Sequence, residues 1–163
     1  SYIDTNGLVS QFTGGQEFRN STIQTVNFPN VTTFNNSILN FYNCVFLTSV
    51  SFPKLTRIWT QAFQLCTSLS TIELPLLTTS GFYAFANTSS LLVLNIPKCS
   101  NLGGSSTYNN VFEGIKIGCT INTNISLKTN NEGGVDGDLT YAKNTRLAIV
   151  NFYNNDGSYN STL

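Results

Sequence analysis

The feature that most constrains this chain is a short segment repeated four times along it. Each copy alternates apolar and polar residues and ends in proline, and the copies are Ile23–Pro29, Leu47–Pro53, Leu69–Pro75 and Leu91–Pro97. The chain has four prolines, and each closes one copy, so the steps between copies are 24, 22 and 22 residues. A repeat of roughly 20–29 residues is typical of solenoids, in which each turn packs only on its neighbours. The chain therefore predicts a stack of similar turns.

Within each copy the pattern indicates a short strand that stops at the proline. Val50 and Phe52 alternate with Ser49 and Ser51, which is the period of two that places one set inward and the other outward. Proline lacks an N–H, and its ring prevents the strand from continuing. Stacked turns should bring equivalent residues together at about the 4.7–4.9 Å spacing of strands. Two buried files are expected: one is Val26, Val50, Ile72 and Leu94, and the other is Phe41, Phe63, Phe85 and Phe112.

The 163 residues are long enough for one domain with a real core. We expect an N-terminal cap over 1–21, with Phe18 starting to imitate the repeat, and about four to five repeats over 22–123. A C-terminal cap is expected over 124–153, and a loose tail or a linker over 154–163. Because the chain starts at Ser1 and has no Met, we expect it to be processed or to be an excerpt of a longer polypeptide.

The C-terminal cap is predicted to contain one helix and one strand. The helix is expected from Leu139 to about Arg146, with Asp136 or Asp138 capping it by accepting its first free N–H groups. The residues from Leu147 to Tyr153 are rich in strand formers and predict a closing strand.

The segment from Leu55 to Pro75 resembles the treponemal-type, or BspA-like, leucine-rich repeat. It contains Ala62-Phe63, then Cys66 three residues on, then Leu69, Ile72, Leu74 and Pro75 in the spacing Leu-x-x-Ile-x-Leu-Pro. The similarity covers about residues 22–123. The segment Asn130–Tyr153 in turn resembles the terminal piece of repeat proteins from Bacteroidetes-group bacteria and their phages. These resemblances imply a curved solenoid with roles in adhesion and surface recognition, and no catalysis.

The fold class that we expect is a leucine-rich-repeat solenoid, mainly β. It would have one parallel sheet, short irregular or 3₁₀ segments on the convex side, and the short helix and strand as its C-terminal cap.

Composition excludes several classes of function. Charged residues make up 10% of the chain, with eight basic and eight acidic side chains, so no basic face for nucleic acid is expected. No apolar run is long enough for membrane insertion. The chain has no histidine, which removes histidine-based catalysis and the commonest transition-metal ligand, so we expect no enzyme and no cofactor. A polar surface of Asn, Ser and Thr favours an extracellular, cell-surface or virion location.

The four cysteines can be interpreted as buried core residues or as partners in disulfide bonds. Cys44 and Cys66 occupy the same position in adjacent turns, three residues after the aromatic, which favours a buried file of small side chains. A disulfide between adjacent turns stays open if the Cα atoms approach within about 7 Å. Cys99 also corresponds to a core position, and Cys119 has no clear equivalent. The absence of Cys-x-x-Cys argues against structural zinc.

A glycine-rich polar stretch near the C-terminus carries three carboxylates. Glu132, Asp136 and Asp138 could supply oxygen ligands to calcium, although their spacing is not that of the twelve-residue calcium loop. The alternative is a turn followed by a helix cap, which we favour.

The strongest candidate for a binding surface is the outward face of the strands. Two files of outward residues are predicted: Thr25, Ser49, Thr71 and Val93 form one, and Asn27, Ser51, Glu73 and Asn95 form the other. Hydroxyl and amide groups in register suit hydrogen bonding to a sugar or a flat protein surface; the alternative is a solvated face kept polar for solubility. Further contacts are expected from exposed aromatics, which are Trp59, Phe82, Tyr83 and Tyr108, although Trp59 and Phe82 could equally cover edges of the core.

Two functions follow from these observations. The first is a non-enzymatic recognition or adhesion module on a bacterial surface or a phage virion, which contacts a host glycan or protein. The alternative is a structural component, such as a decoration, spacer or tail part of a phage particle or larger surface assembly, which contacts other subunits and has no separate ligand.

Overall fold

A computed structural model describes residues 1–12, 16–34, 40–103, 111–128 and 137–163. Tyr108, Glu132 and Asp136 therefore lie outside the described residues. The elements are mostly short strands, as the repeat predicts. In chain order they are β1 Tyr2–Ile3, β2 Gln11–Phe12, β3 Thr25–Asn27, β4 Thr33–Phe34, β5 Ser49–Ser51, β6 Thr71–Glu73, β7 Thr79–Ser80, β8 Val93–Asn95, β9 Asn101–Leu102, β10 Thr120–Asn124, a 3₁₀ helix Ile125–Lys128, α1 Gly137–Arg146, β11 Ile149–Tyr153 and β12 Tyr159–Thr162.

The strands that end at the prolines stack in parallel, and this confirms the solenoid. Val26 pairs with Val50, and Ile72 pairs with Leu94, so the expected buried file exists. The single parallel sheet that we expected is instead two sheets, with orders β1-β3-β5 and β12-β11-β10-β8-β6. β5 and β6 lie in contact, but no ladder pairing joins these two described strands. The larger sheet also carries one antiparallel strand, β12.

A second parallel ladder runs along the solenoid just after the prolines. β2 pairs with β4 and β7 with β9, and isolated bridges from Arg57 to Thr33 and to Thr79 connect the two pairs. The residues of this ladder are extended, while the rest of each turn is irregular as expected, for example over 60–65 and 82–87. The physical reason is that each turn presents backbone N–H and C=O groups that are satisfied most simply by the same position of the next turn.

The core is built around a stack of phenylalanine rings. Five rings lie nearly parallel, with centroids 5.0, 5.5, 6.3 and 6.2 Å apart and interplanar angles of 8° or less; they are Phe18, Phe41, Phe63, Phe85 and Phe112. Phe18 thus continues the aromatic file into the N-terminal segment, as predicted. The aliphatic file lies beside it, with Ile72, Leu94 and Ile121 fully buried.

The C-terminal segment contains the expected helix and strand with two corrections. α1 spans Gly137–Arg146, so Asp138 lies inside its first turn and does not cap it. The Asp138 carboxylate Oδ1 accepts a hydrogen bond of 3.0 Å from the backbone N–H of Val111, and this contact from another turn explains its position. The tail is also corrected: Tyr159–Thr162 folds back antiparallel on β11, through a turn in which Gly157 has a φ of 88°.

Candidate functional site

The outward files of the larger sheet are longer than the sequence predicted. Register places Glu73 beside Asn95, Asn95 beside Asn122, and Asn122 beside Asn151. The neighbouring file contains Thr71, Val93, Thr120 and Ile149 in the same order. In the smaller sheet, Thr25 lies beside Ser49, and Asn27 lies beside Ser51. All eight strand-face residues that were predicted therefore occur in the expected registers, divided between the two sheets.

Side chains of the longer file bond to one another along the sheet. The Asn95 amide Nδ2 donates to Glu73 Oε2 at 2.7 Å, and the Asn151 amide Nδ2 donates to Asn122 Oδ1 at 2.9 Å. The Thr162 hydroxyl on β12 donates to Asn151 Oδ1 at 2.7 Å. These bonds hold the polar groups in fixed positions, which lowers the entropy lost when a ligand binds them. We call Glu73, Asn95, Asn122, Asn151 and Thr162 the polar ladder.

Sequence reasoning missed three members of the polar ladder. Asn122 follows Ile121 just as Asn95 follows Leu94, so the position of Ile121 after Phe112 was a usable signal. Asn151 also follows an inward residue, Val150, which pairs with Ile121. No repeat signal precedes Thr162, whose position depends on the hairpin between β11 and β12.

The predicted aromatic residues do not gather at one place. Trp59 and Phe82 both line a cleft of about 230 Å³ on the side of the second ladder, together with Arg57, Ile58, Ser80 and Gly81. The Arg57 guanidinium lies over the Trp59 ring, 5.3 Å from its centroid. Tyr83 is half-buried outside this lining and has a positive φ of 54°. We call the cleft that Trp59 and Phe82 line the Trp59 cleft.

The Trp59 cleft exists because one turn departs from the repeat. Each turn contributes two residues to the second ladder. The second of them is Phe34, Ile58 or Leu102 in the other turns, and it is Ser80 in this turn. Gly81 follows, and any Cβ at this position would overlap the backbone of Trp59 and Thr60. The Ser-Gly pair therefore allows two turns to approach closely while it leaves space where a large side chain would otherwise pack.

Two polar atoms at this cleft are buried without a hydrogen bond. Within the described part of the chain, neither Trp59 Nε1 nor Ser80 Oγ has a partner. Ser80 is 2% exposed, and buried polar groups are normally hydrogen-bonded. Each atom has less than 1 Å² of solvent-accessible area, so both lie beneath the surface of the cleft.

All four cysteines are buried thiols, as the file of small side chains predicted for Cys44 and Cys66 and the core position predicted for Cys99. Cys44 Sγ donates to the carbonyl of Phe18 at 2.8 Å, and Cys66 Sγ donates to the carbonyl of Phe41 at 3.0 Å, which is the same contact one turn later. Burial raises the pKa of the Cys44 and Cys66 thiols, and it raises that of Cys119 to about 12. Thiols that remain protonated are poor nucleophiles and poor metal ligands.

The carboxylates that were considered for calcium give no described site. Glu132 and Asp136 lie outside the described residues, and Asp138 Oδ1 is bonded to the Val111 N–H. Among described residues, no group of three or more Asp, Glu, His or Cys side chains could hold a metal ion. In the same part of the chain, no helix has the length and apolar character needed to cross a membrane.

Comparison with known proteins gives one match. The family model described as "BspA type Leucine rich repeat region" matches residues 37–132 in six copies. Neither a search of curated proteins nor a search of solved structures gave a match. The matched range includes the central strands of both ladders and both residues of the Ser-Gly pair.

Proposed function

Because this chain belongs to the BspA-type leucine-rich-repeat family, we propose that it is a non-enzymatic recognition module of a bacterial surface or a phage virion. It binds a host glycan or protein through the outward face of its larger sheet. Repeats of this family are consistent with a surface protein-binding or adhesion module, and their proteins are often surface-exposed. A leucine-rich-repeat solenoid is also typically a binding scaffold, and the matched family is not a catalytic one.

The observation that carries this proposal is the polar ladder. It presents amide, carboxylate and hydroxyl groups from five adjacent strands on one face, and side-chain bonds hold them in position. An amide offers both donors and an acceptor, so such a face can bind a sugar or the backbone and side chains of a protein. Glu73 is exposed at one end and Asn95 is half-buried beside it, so both can contact a ligand.

The test is a glycan array combined with a pull-down from a host-surface extract. The variant is Glu73→Ala with Asn95→Ala, which removes one bonded pair of the polar ladder. The matched control is Glu113→Ala with Asn144→Ala, since these residues are exposed and lie away from the sheet face. We expect the first variant to lose binding and the control to keep it. Equal binding by both variants would exclude the polar ladder as the site.

A structural role is the second candidate, and an exposed apolar group supports it. Near the N-terminus, Tyr2, Ile3 and Leu8 are 47%, 53% and 82% exposed, and β1 is an edge strand. A neighbouring subunit could cover these side chains and pair with β1. Light scattering over a range of concentrations tests this role. Self-association that Ile3→Ser with Leu8→Ser abolishes would support it, and a monomer at all concentrations would count against it.

A further inference from the structure

We infer that the Trp59 cleft binds an apolar group that carries or adjoins a carboxylate. This inference goes beyond the proposed function, because the described residues that line the cleft include no member of the polar ladder. The volume of about 230 Å³ is below the roughly 300–1,000 Å³ of pockets that bind drug-sized ligands, so the cleft suits one side chain or a small acid.

The first argument is the apolar wall of the cleft. The rings of Trp59 and Phe82 are both half-buried, and both line the cleft together with Ile58. The exposed part of these rings leaves apolar area in contact with water at a concave surface. An apolar group that covers this area removes it from water, which is favourable. The wall therefore sets the apolar part of the ligand.

The second argument is the Arg57 side chain beside this wall. Arg57 is exposed, and it is the only charged residue among the described residues that line the cleft. Its guanidinium lies 5.3 Å from the centroid of the Trp59 ring, so the positive charge is held next to the apolar surface. Arginine can lie on an aromatic face while its planar N–H groups bind both oxygens of a carboxylate. Arg57 therefore sets the charged part of the ligand.

The third argument comes from a comparison of the three arginines of the chain. Arg19 donates to Gln16 Oε1 at 3.1 Å, and Arg146 Nε donates to the Ile115 carbonyl at 2.8 Å. Within the described part of the chain, no group accepts a hydrogen bond from the Arg57 guanidinium. Its N–H donors are therefore available to a ligand.

One carboxylate of the protein lies beside the cleft. Asp138 Oδ2 would be 3.8 Å from a Cβ built on Gly103, which lines the cleft. Asp138 is 5% exposed, and its Oδ1 accepts a hydrogen bond from the Val111 N–H, so this carboxylate is buried in the fold. The exposed guanidinium of Arg57 thus still faces solvent and a ligand.

The experiment uses the fact that Trp59 is the only tryptophan in the chain. Its indole N–H gives a single resonance in a nitrogen–proton correlation spectrum, and this resonance reports on the cleft that the ring lines. We would titrate the full chain with N-acetyl-leucine, with its neutral amide, and with N-acetylglycine, which has the carboxylate without the apolar group. We expect a saturable shift with N-acetyl-leucine at millimolar concentrations, about fivefold weaker binding of the amide, and no saturable shift with N-acetylglycine.

A second titration distinguishes two sources of this ligand chemistry. N-acetyl-leucyl-aspartyl amide carries its carboxylate on a side chain, as the interior of a protein segment does. If it binds as tightly as N-acetyl-leucine, the cleft takes a segment of a partner protein. If it binds as weakly as the neutral amide, the cleft takes a small acid or a chain terminus. Either result supports the inference and identifies the source.

Two variants and one control make the test specific. Arg57→Gln removes the charge and keeps a long polar side chain, so N-acetyl-leucine and its amide should then bind equally. Phe82→Ala removes part of the apolar wall, so it should weaken the binding of both ligands by a similar factor. The matched control is Arg19→Gln, because Arg19 is also exposed and lies over an aromatic ring, 5.4 Å from the centroid of Tyr42, outside the cleft lining. This variant should keep the preference for the acid.

The outcomes separate this inference from the proposed function. No shift with any of these ligands would overturn the inference. Equal binding of the acid and the amide by the original chain would also overturn it, as would a preference for the acid that Arg57→Gln leaves unchanged. If the array or the pull-down still shows binding that depends on Glu73 and Asn95, the proposed function stands without a ligand in the Trp59 cleft.

Discussion

At the scale of single residues, one backbone conformation recurs two positions after each stacked phenylalanine. These residues have φ values between 57° and 63°, and they are Asn20, Asn43, Leu65, Asn87 and Gly114. Asparagine and glycine tolerate this left-handed region better than other residues do. The conformation directs the N–H of the first four residues to a carbonyl of the next turn, for example from Asn43 to Gln64 at 2.8 Å. Leu65 is the one residue here that is neither asparagine nor glycine.

We predict that Leu65→Asn stabilises the protein by about 0.5–1 kcal/mol. The left-handed conformation is unfavourable for leucine, and Leu65 is only half-buried, so little packing is lost. Urea denaturation measures the free energy of unfolding. The matched control is the reverse change, Asn43→Leu, which should destabilise by a similar amount. A lower stability for Leu65→Asn would show that leucine packing outweighs backbone strain.

The buried thiols predict a decline in stability at alkaline pH. Burial raises the pKa of Cys66, and it raises that of Cys119 from 9.0 to about 12, so both stay protonated in the folded chain. In the unfolded chain they lose their protons above pH 9. The unfolded state then binds fewer protons, and the free energy of unfolding falls as pH rises further, by up to about 1.4 kcal/mol per pH unit for each thiol.

Urea denaturation at several pH values between about 8 and 10.5 checks this decline. Cys119→Ala removes one titrating group, so its unfolding free energy should fall less steeply with pH than that of the original chain. Parallel curves for the two proteins would mean that Cys119 ionises equally in both states.

At the scale of elements, the phenylalanine stack is the main connection between turns. Phe63 is fully buried, and its ring lies 5.5 Å from that of Phe41 and 6.3 Å from that of Phe85. We predict that Phe63→Ala destabilises the protein by about 3–5 kcal/mol, because it leaves a cavity between two stacked rings.

The control for this change is Phe46→Ala, since Phe46 is 54% exposed and does not belong to the stack. Its effect should stay within about 1 kcal/mol. Thermal unfolding followed by circular dichroism compares the two variants. A small effect at Phe63 would mean that the neighbouring turns can close over the space.

Sequence reasoning predicted the stacked strands that end at the prolines well, and it predicted the second ladder poorly. The strands that end at the prolines have a strong sequence signal, because Val50 and Phe52 alternate with serines before a proline. The second ladder consists of strands of two residues, such as Thr79–Ser80, which are too short to show a period. Ser80 replaces the apolar residue of the equivalent positions, and only the coordinates show that a cleft lies beside it. The close approach of two turns at Gly81 likewise depends on contacts between residues that are distant in sequence.

At the scale of the whole molecule, the two ends of the stack are closed differently. At the N-terminal end, Phe12 and Phe18 extend the aromatic core, and β1 leaves one strand edge open. At the C-terminal end, β12 pairs with β11 and covers its outer edge. The sequence Asn154–Ser158 indicates a turn, but the strand after it contains mainly polar residues. Its pairing follows from the open edge of β11, which sequence alone does not reveal.

We predict that removal of residues 154–163 exposes the edge of β11 and causes self-association. The deletion removes the bond from the Leu163 N–H to the Val150 carbonyl at 2.8 Å and the contact of the Leu163 side chain with the core. Stability should fall by roughly 2 kcal/mol. An unpaired strand edge offers N–H and C=O groups to a second chain, so the truncated protein should form dimers or larger species.

Light scattering and urea denaturation of the truncated chain test both effects, with Asn160→Ala as the control. The exposed Asn160 side chain donates to Asn154 Oδ1 within the hairpin, so its loss should leave the protein monomeric and nearly as stable. If the truncated chain remains monomeric with unchanged stability, β12 does not protect the edge. A truncated chain that associates but keeps its stability would show that β12 acts against aggregation without contributing to folding. Either result also bears on the polar ladder, because Thr162 belongs to the deleted segment.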